Sequence, residues 1–236
     1  MKITNRLTVC GLAALALAAV TPAQKQALEK GPHRMEITLE QRTGDEWVAR
    51  DPGYVFESGD RVRFRLTTNF PGYLYVMNHG TSGDYALLFP REETGRNNEI
   101  EADQEYLVPA TEGSFRITGP AGHEVVYWVI NPVEWTQGGG VSPYRPLPPP
   151  PAPSPAPPRL EPRCDETILR ARGDCVDPTA GPQKIEGNND LPQNLQQMPH
   201  ADSRQLLFLK KDESSVVSAP PAAVGPVVFE FRLAHR

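Results

Sequence analysis

Cysteine, histidine and tryptophan are scarce in this 236-residue chain, with three, five and three copies. The histidines are His33, His79, His123, His200 and His235. None stands at metal-ligand spacing from another, and neither HExxH nor CxxC occurs, which excludes the common sequence-encoded zinc sites. No cofactor is expected. Gly-x-Ser-x-Gly is missing as well, so the nucleophile elbow of the α/β-hydrolases is excluded. The one long apolar run, residues 7–20, falls short of the roughly 20 residues a bilayer span needs. Segments dense in Lys and Arg are absent and the formal charge is −5, so no general attraction to nucleic acid is expected.

What the N-terminus does contain is the pattern of a secretory signal. Lys2 and Arg6 precede the apolar run, and Thr21-Pro22-Ala23 follows it with small residues where a signal peptidase reads. Residues 1–23 are therefore predicted to be a signal peptide. The mature chain is expected to be periplasmic or extracellular, with no membrane span after cleavage. Cys10 lies inside the apolar run behind the bulky Val9, which argues against lipidation. Its removal would leave Cys164 and Cys175, an even pair that an oxidising compartment joins as a disulfide. Between them, Asp165 and Glu166 come first, Arg170 and Arg172 last, and Gly173 follows. That order suits a short helix.

Alternation with period two dominates residues 33–142, the predicted main part of a β-sandwich. Met35, Ile37 and Leu39 alternate with Glu36, Thr38 and Glu40. Val62, Phe64 and Leu66 alternate with Arg61, Arg63 and Arg65. Two runs beginning at Tyr73 and Tyr85 flank residues 79–84 as a hairpin with a longer loop. Residues 106–108 and 115–117 are shorter candidates. The stretch from Val125 to Ile130 is apolar on both faces and is expected in the middle of a sheet, covered on both sides. Many short strands with Gly, Pro, Asn and Asp between them indicate an all-β, immunoglobulin-like β-sandwich.

Composition changes abruptly at residue 143. Eleven of the chain's 26 prolines fall in residues 143–162. A run without backbone donors cannot join a ladder, and as polyproline II residues 146–158 would span roughly 40 Å. Residues 143–204 are read as a Pro-rich, disulfide-containing insertion, with 176–203 an irregular polar loop. Alternation returns in residues 205–236. Leu206–Leu209 is one short strand; Val227, Phe229, Phe231 and Leu233 face one way and Val228, Glu230, Arg232 and Ala234 the other. Two strands cannot form a core alone, so this tail is expected to return to the sandwich.

The segments Gly72-Tyr73-Leu74-Tyr75-Val76-Met77-Asn78, Leu87-Leu88-Phe89-Pro90 and Asn97-Asn98-Glu99-Ile100 resemble a bacterial module, the domain-of-unknown-function 4384 family. Residues 57–62 and 122–126 fit the same pattern, so the resemblance covers about residues 35–135. It implies a small β-rich module of exported or multidomain bacterial proteins, with no agreed activity and no catalytic residues to carry over. The Pro-rich run and the disulfide segment depart from a minimal member.

Candidate chemistry is sparse. His79, Ser82 and Asp84 sit too close together for a triad, whose members come from separate elements; they are read as a turn. The oxygen-rich residues 97–103 match no calcium-loop spacing and are read as a solvated acidic turn. Arg61, Arg63 and Arg65 form a cationic row that could meet an acidic polymer, or could pair with Glu36, Glu40 or Glu101 across the sheet. Trp47 and Trp128 are assigned to the core. Trp135, at a loop mouth beside Tyr144, could stack on a sugar ring or a partner, or cap the open end of the sandwich. Residues 145–151 have SH3-ligand spacing, although a spacer arm suits an exported protein better. The expectation is a non-catalytic exported module that contacts a protein partner in the bacterial envelope. A carbohydrate or peptidoglycan-binding module is the alternative.

Overall fold

The computed structural model describes residues 33–134, 161–185, 191–196, 205–219 and 226–236. The predicted signal peptide, the proline run, Trp135 and Tyr144 lie outside the described residues. The first strands are β1 (His33–Thr43), β2 (Glu46–Arg50), β3 (Val55–Phe56), β4 (Arg61–Thr68) and β5 (Gly72–His79). Next come β6 (Tyr85–Phe89), β7 (Glu99–Ile100), β8 (Glu105–Val108), β9 (Phe115–Arg116) and β10 (Gly122–Asn131). The rest of the described chain adds helix α1 (Glu166–Arg172), β11 (Gly181–Gln183), helix α2 (Gln193–Gln196), β12 (Leu207–Lys211), β13 (Ser214–Ala219) and β14 (Val227–His235).

The described residues form an all-β sandwich of two 7-stranded sheets. One sheet runs β12-β13-β1-β4-β8, with β2 and β9 paired at its margins. The other runs β11-β14-β10-β5-β6, with β3 and β7 at its margins. β14 lies antiparallel to β10 from Gly122↔His235 to Ile130↔Val227. β1 carries β13 along its first half and β2 along its second, while β4 occupies its other edge.

Alternating side chains meet between the layers because every second residue of a strand faces the same way. Met35, Ile37, Leu39, Val62, Phe64 and Leu66 from one sheet pack on Leu74, Val76, Val126, Trp128, Phe229 and Phe231 from the other. Trp128 is fully buried, edge-on to Phe64 at 5.0 Å and stacked on Phe229 at 6.4 Å. Each such side chain contributes about 1.5–3 kcal/mol by leaving water. Among the described residues the Trp128 indole N–H finds no acceptor, which offsets part of that gain.

A second apolar layer lies on the outer face of the β10 sheet. Tyr75, Met77, Tyr127, Val129 and Val228 are covered by Ile185, Leu191 and Leu195. Within the described residues 176–185 and 191–196 this corrects the expectation of an irregular polar loop over 176–203: β11 joins β14, and the three apolar side chains are buried. Single apolar residues spaced through polar sequence show no period, yet they suffice to cover one stripe of a sheet. β10 is thus buried on both faces.

Candidate docking cleft at the sheet edges

On one side of the sandwich both sheets end, one at β12 and the other at β11. Among the described residues β12 pairs only with β13, and β11 only with β14. Between these edges lies a cavity of about 330 Å³, whose apolar lining includes Pro52, Ile168, Pro178, Pro182, Phe208 and Leu209. An ion pair between Lys210 and Asp51 forms its rim. Beyond that pair lies a polar hollow of about 410 Å³ bordered by Arg50, Tyr54, Arg172, Asp174, Asp212 and Glu213.

One wall of the cleft is a disulfide-closed hairpin docked on the β2–β3 loop. The Asp51 carboxylate accepts from the Gly53 N–H at 3.0 Å, and its carbonyl accepts from the Tyr54 N–H at 2.9 Å. Asp177 N–H then donates to the Gly53 carbonyl at 2.7 Å, and Val55 N–H to the Cys175 carbonyl at 2.9 Å. A Cβ at Gly53 would stand 2.5 Å from the Asp177 carbonyl oxygen, so only glycine permits this approach. The Asp165 carboxylate caps α1 by accepting from the Thr167 and Ile168 N–H groups at 2.8 and 3.1 Å. Gly173 closes its other end in the left-handed conformation. Cys164 and Cys175 are joined, with Cα atoms 4.7 Å apart.

Asp177 fixes the base of the hairpin. It accepts from the Thr179 N–H and hydroxyl at 2.8 and 2.7 Å and from the Arg163 N–H at 2.9 Å. His123 Nε2 stands 3.3 Å from the same carboxylate. Burial alone would raise its pKa; the Thr179 and Arg163 hydrogen bonds and the His123 charge outweigh burial and hold it below the usual carboxylate range.

Away from the cleft, the arginine row is engaged within its own sheet. Arg63 Nε donates to Glu40 Oε2 at 2.6 Å, and Arg65 contacts Glu40 Oε1. Arg65 also lies 3.8 Å from Glu105, and Arg61 donates to the Ser114 hydroxyl at 3.4 Å. Glu40 is fully buried beneath these guanidinium groups. Trp47 corrects the core assignment. It is half-buried on the outside of the sheet, with the Arg63 guanidinium 4.3 Å and the Arg42 guanidinium 6.0 Å from its ring centre. β2 pairs along only one edge of β1, and its aromatic covers the ion pairs instead of the interlayer core.

A polar network that sequence reasoning missed closes one end of the sandwich. His235 is fully buried, with Nε2 3.4 Å from both Glu124 Oε1 and Thr81 Oγ1. Glu124 also accepts from Asn78 Nδ2 at 2.6 Å and from the Thr81 N–H and hydroxyl at 3.2 and 3.1 Å. Burial opposes ionisation of Glu124, yet the hydrogen bonds from His235, Asn78 and Thr81 prevail and its pKa lies below the ordinary value. A nucleophile–base–acid relay needs partners on both imidazole nitrogens. Here hydroxyl and carboxylate address the same nitrogen, while Nδ1 is buried without a hydrogen bond among the described residues. The group therefore ties the β5–β6 loop to β10 and β14. The one available signal was His235 at the end of an alternating strand. Within that loop Ser82 donates to Asp84 at 2.8 Å and the Gly80 N–H to the Asp84 carbonyl at 2.8 Å, which is turn chemistry.

Among the described residues no group of His, Cys, Asp and Glu side chains could hold a metal ion. No described helix is long and apolar enough to cross a membrane. Residues 55–132 match the family model described as Domain of unknown function (DUF4384). No curated protein and no solved structure matches the chain. The matched span contains Asn78, Thr81 and Glu124 but none of the residues lining the cleft.

Proposed function

We propose that this chain is a non-catalytic, exported module that binds a protein partner of the bacterial envelope through the cleft between β11 and β12. The observation that carries the reading is the cleft itself: an apolar floor with an ion pair on its rim, walled by the disulfide hairpin. Apolar hollows with a few fixed polar groups are the usual form of a binding site. The half-exposed Ile168 on α1 and Leu209 on β12 stand ready to receive a partner's apolar side chain. Export is supported by the signal-like residues 1–23 and by a disulfide that suits an oxidising compartment. The Pro-rich residues 143–162 would serve as a spacer.

The test is photo-crosslinking in envelope extracts, with a probe at position 168 and a control probe at the exposed Glu46. A discrete adduct from position 168 alone, lost when Leu209 is replaced by Asp, is expected. Equal adducts from both positions would overturn the assignment of the cleft. The alternative glycan reading rests on Trp135 and Tyr144. Sedimentation with purified cell wall that Trp135→Ala abolishes would replace the protein partner with a glycan.

A further inference from the structure

We propose that the Cys164–Cys175 disulfide is a redox latch on the cleft, whose reduction releases α1 while the sandwich stays folded. Three observations carry this. First, α1 has seven residues and none of them is buried. Its caps, Asp165 and Gly173, are local, and a helix so short is marginal in water without packing. Second, the two sides of the hairpin are attached unequally. From Cys175 onward, the chain is held by the Val55–Cys175 and Gly53–Asp177 hydrogen bonds, the Tyr54–Val176 bridge and the pairing of β11 with β14. Before Cys175, the attachments among the described residues are the disulfide, the packing of Cys164 against Val55 and Ala234, and two hydrogen bonds, from the Asp165 N–H to the Val176 carbonyl and from the Arg163 N–H to Asp177. Third, the side held mainly by the disulfide supplies Asp165 and Ile168 to the apolar cavity and Arg172 to the polar hollow.

The chemistry requires a dithiol reductant. One of its thiolates attacks Sγ of Cys164, the half-buried member, whereas Cys175 is only 9% exposed. The sulfur–sulfur bond breaks and Cys175 leaves as a thiolate that takes up a proton. The reductant's second thiol resolves the mixed disulfide, frees the Cys164 thiol, and leaves the reductant as a disulfide. Both anchoring hydrogen bonds then depend on a strand end that is no longer tied. The effect on docking rests on the function proposed above, but the latch is read without any partner.

The test is hydrogen exchange of the full chain with and without dithiothreitol, with maleimide labelling to count freed thiols, alongside the Cys164→Ser/Cys175→Ser double variant. Exchange over residues 166–172 is expected to rise at least tenfold on reduction and in the variant, and tryptic cleavage after Arg170 and Arg172 to accelerate equally. Protection of β10 and β14 should not change. Unchanged exchange in α1 would overturn the latch. So would loss of protection in β10 and β14 together with α1, or a native disulfide that resists excess dithiothreitol. A failed crosslink from position 168 with accelerated α1 exchange would refute the docking reading and leave the latch standing.

Discussion

Replacing Glu124 by Gln and by Ala separates the charge of the buried network from its hydrogen bonds. In the native chain the carboxylate accepts from Asn78 Nδ2 and from two Thr81 donors, and lies 3.4 Å from His235 Nε2. Gln keeps one oxygen for Thr81 and turns an amide N–H₂ towards Asn78. Asn78 Oδ1 is buried without a partner among the described residues, so turning that amide over restores a hydrogen bond. Glu124→Gln therefore loses mainly the charge-assisted component and costs about 1–2 kcal/mol. Glu124→Ala strands several donors, each costing about 1–3 kcal/mol when buried, and with water reaching some of them the total is about 3–5 kcal/mol. The pH dependence gives the sharper check. The folded-state pKa is depressed below the unfolded value of about 4.3. Its contribution is fully present above that unfolded value and is lost as pH falls through the lower, folded one. Urea unfolding from pH 7 down to pH 3 should thus show the gap between native and Glu124→Gln constant at first, then closing with acid. A gap that stays constant or widens on acidification would refute this account of the network.

Other substitutions probe the remaining contacts. Trp128→Ala should cost about 3–5 kcal/mol and Trp47→Ala less than about 1.5 kcal/mol in denaturant melts, because one ring fills the interlayer core and the other lies over Arg63 outside it. Similar costs for both would contradict their placement. Glu40→Gln removes the buried counter-charge of Arg63 and Arg65. Because those arginines retain 21% and 40% side-chain exposure, the loss should be about 1–3 kcal/mol, below that of a fully buried pair. Gly53→Ala forces the Asp177 carbonyl away; a loss of about 1–3 kcal/mol and faster exchange at the Val55 and Asp177 amides are expected.

Alternation made the inner strands legible. β4, β5, β10 and β14 carry side chains that switch faces at each residue, and the set that faces inward forms the interlayer core. Strands without a bulky apolar alternation carry no such mark. β13 is Ser-Ser-Val-Val-Ser-Ala, and its placement between β1 and β12 depends on a partner strand far away in sequence. β2 is half-buried, so no contrast between its faces marks it, although Gly44-Asp45 is the kind of pair that turns a hairpin. The ion pairs of the arginine row could be anticipated from strand parity and the supply of glutamates; which glutamate is buried depends on register. Neither the cleft nor the Glu124 network was legible. Each is assembled from at least three separated segments, and no local spacing encodes such a meeting.

On the docking reading proposed above, the two edges that wall the cleft would constrain how a partner occupies it. An exposed strand edge invites another strand to add to it, and proteins discourage this with Lys, Pro and short strands. β12 carries Lys210 and Lys211, both exposed, and is five residues long. β11 is three residues long and has Pro182 at its centre, which offers no donor. Both edges thus resist generic strand addition, while the cavity between them stays lined by Ile168, Phe208 and Leu209. A partner would therefore engage by inserting side chains, with specificity set by the fit of apolar groups beside the Asp51–Lys210 pair. Every residue in that fit lies outside the span matched to the family. On the docking reading proposed above, replacing the cleft residues Ile168, Phe208 and Leu209 with polar ones should abolish partner capture, whereas substitutions at exposed positions within residues 55–132 should leave it unchanged. Partner choice that instead follows residues 55–132 would place the recognition surface elsewhere on the sandwich.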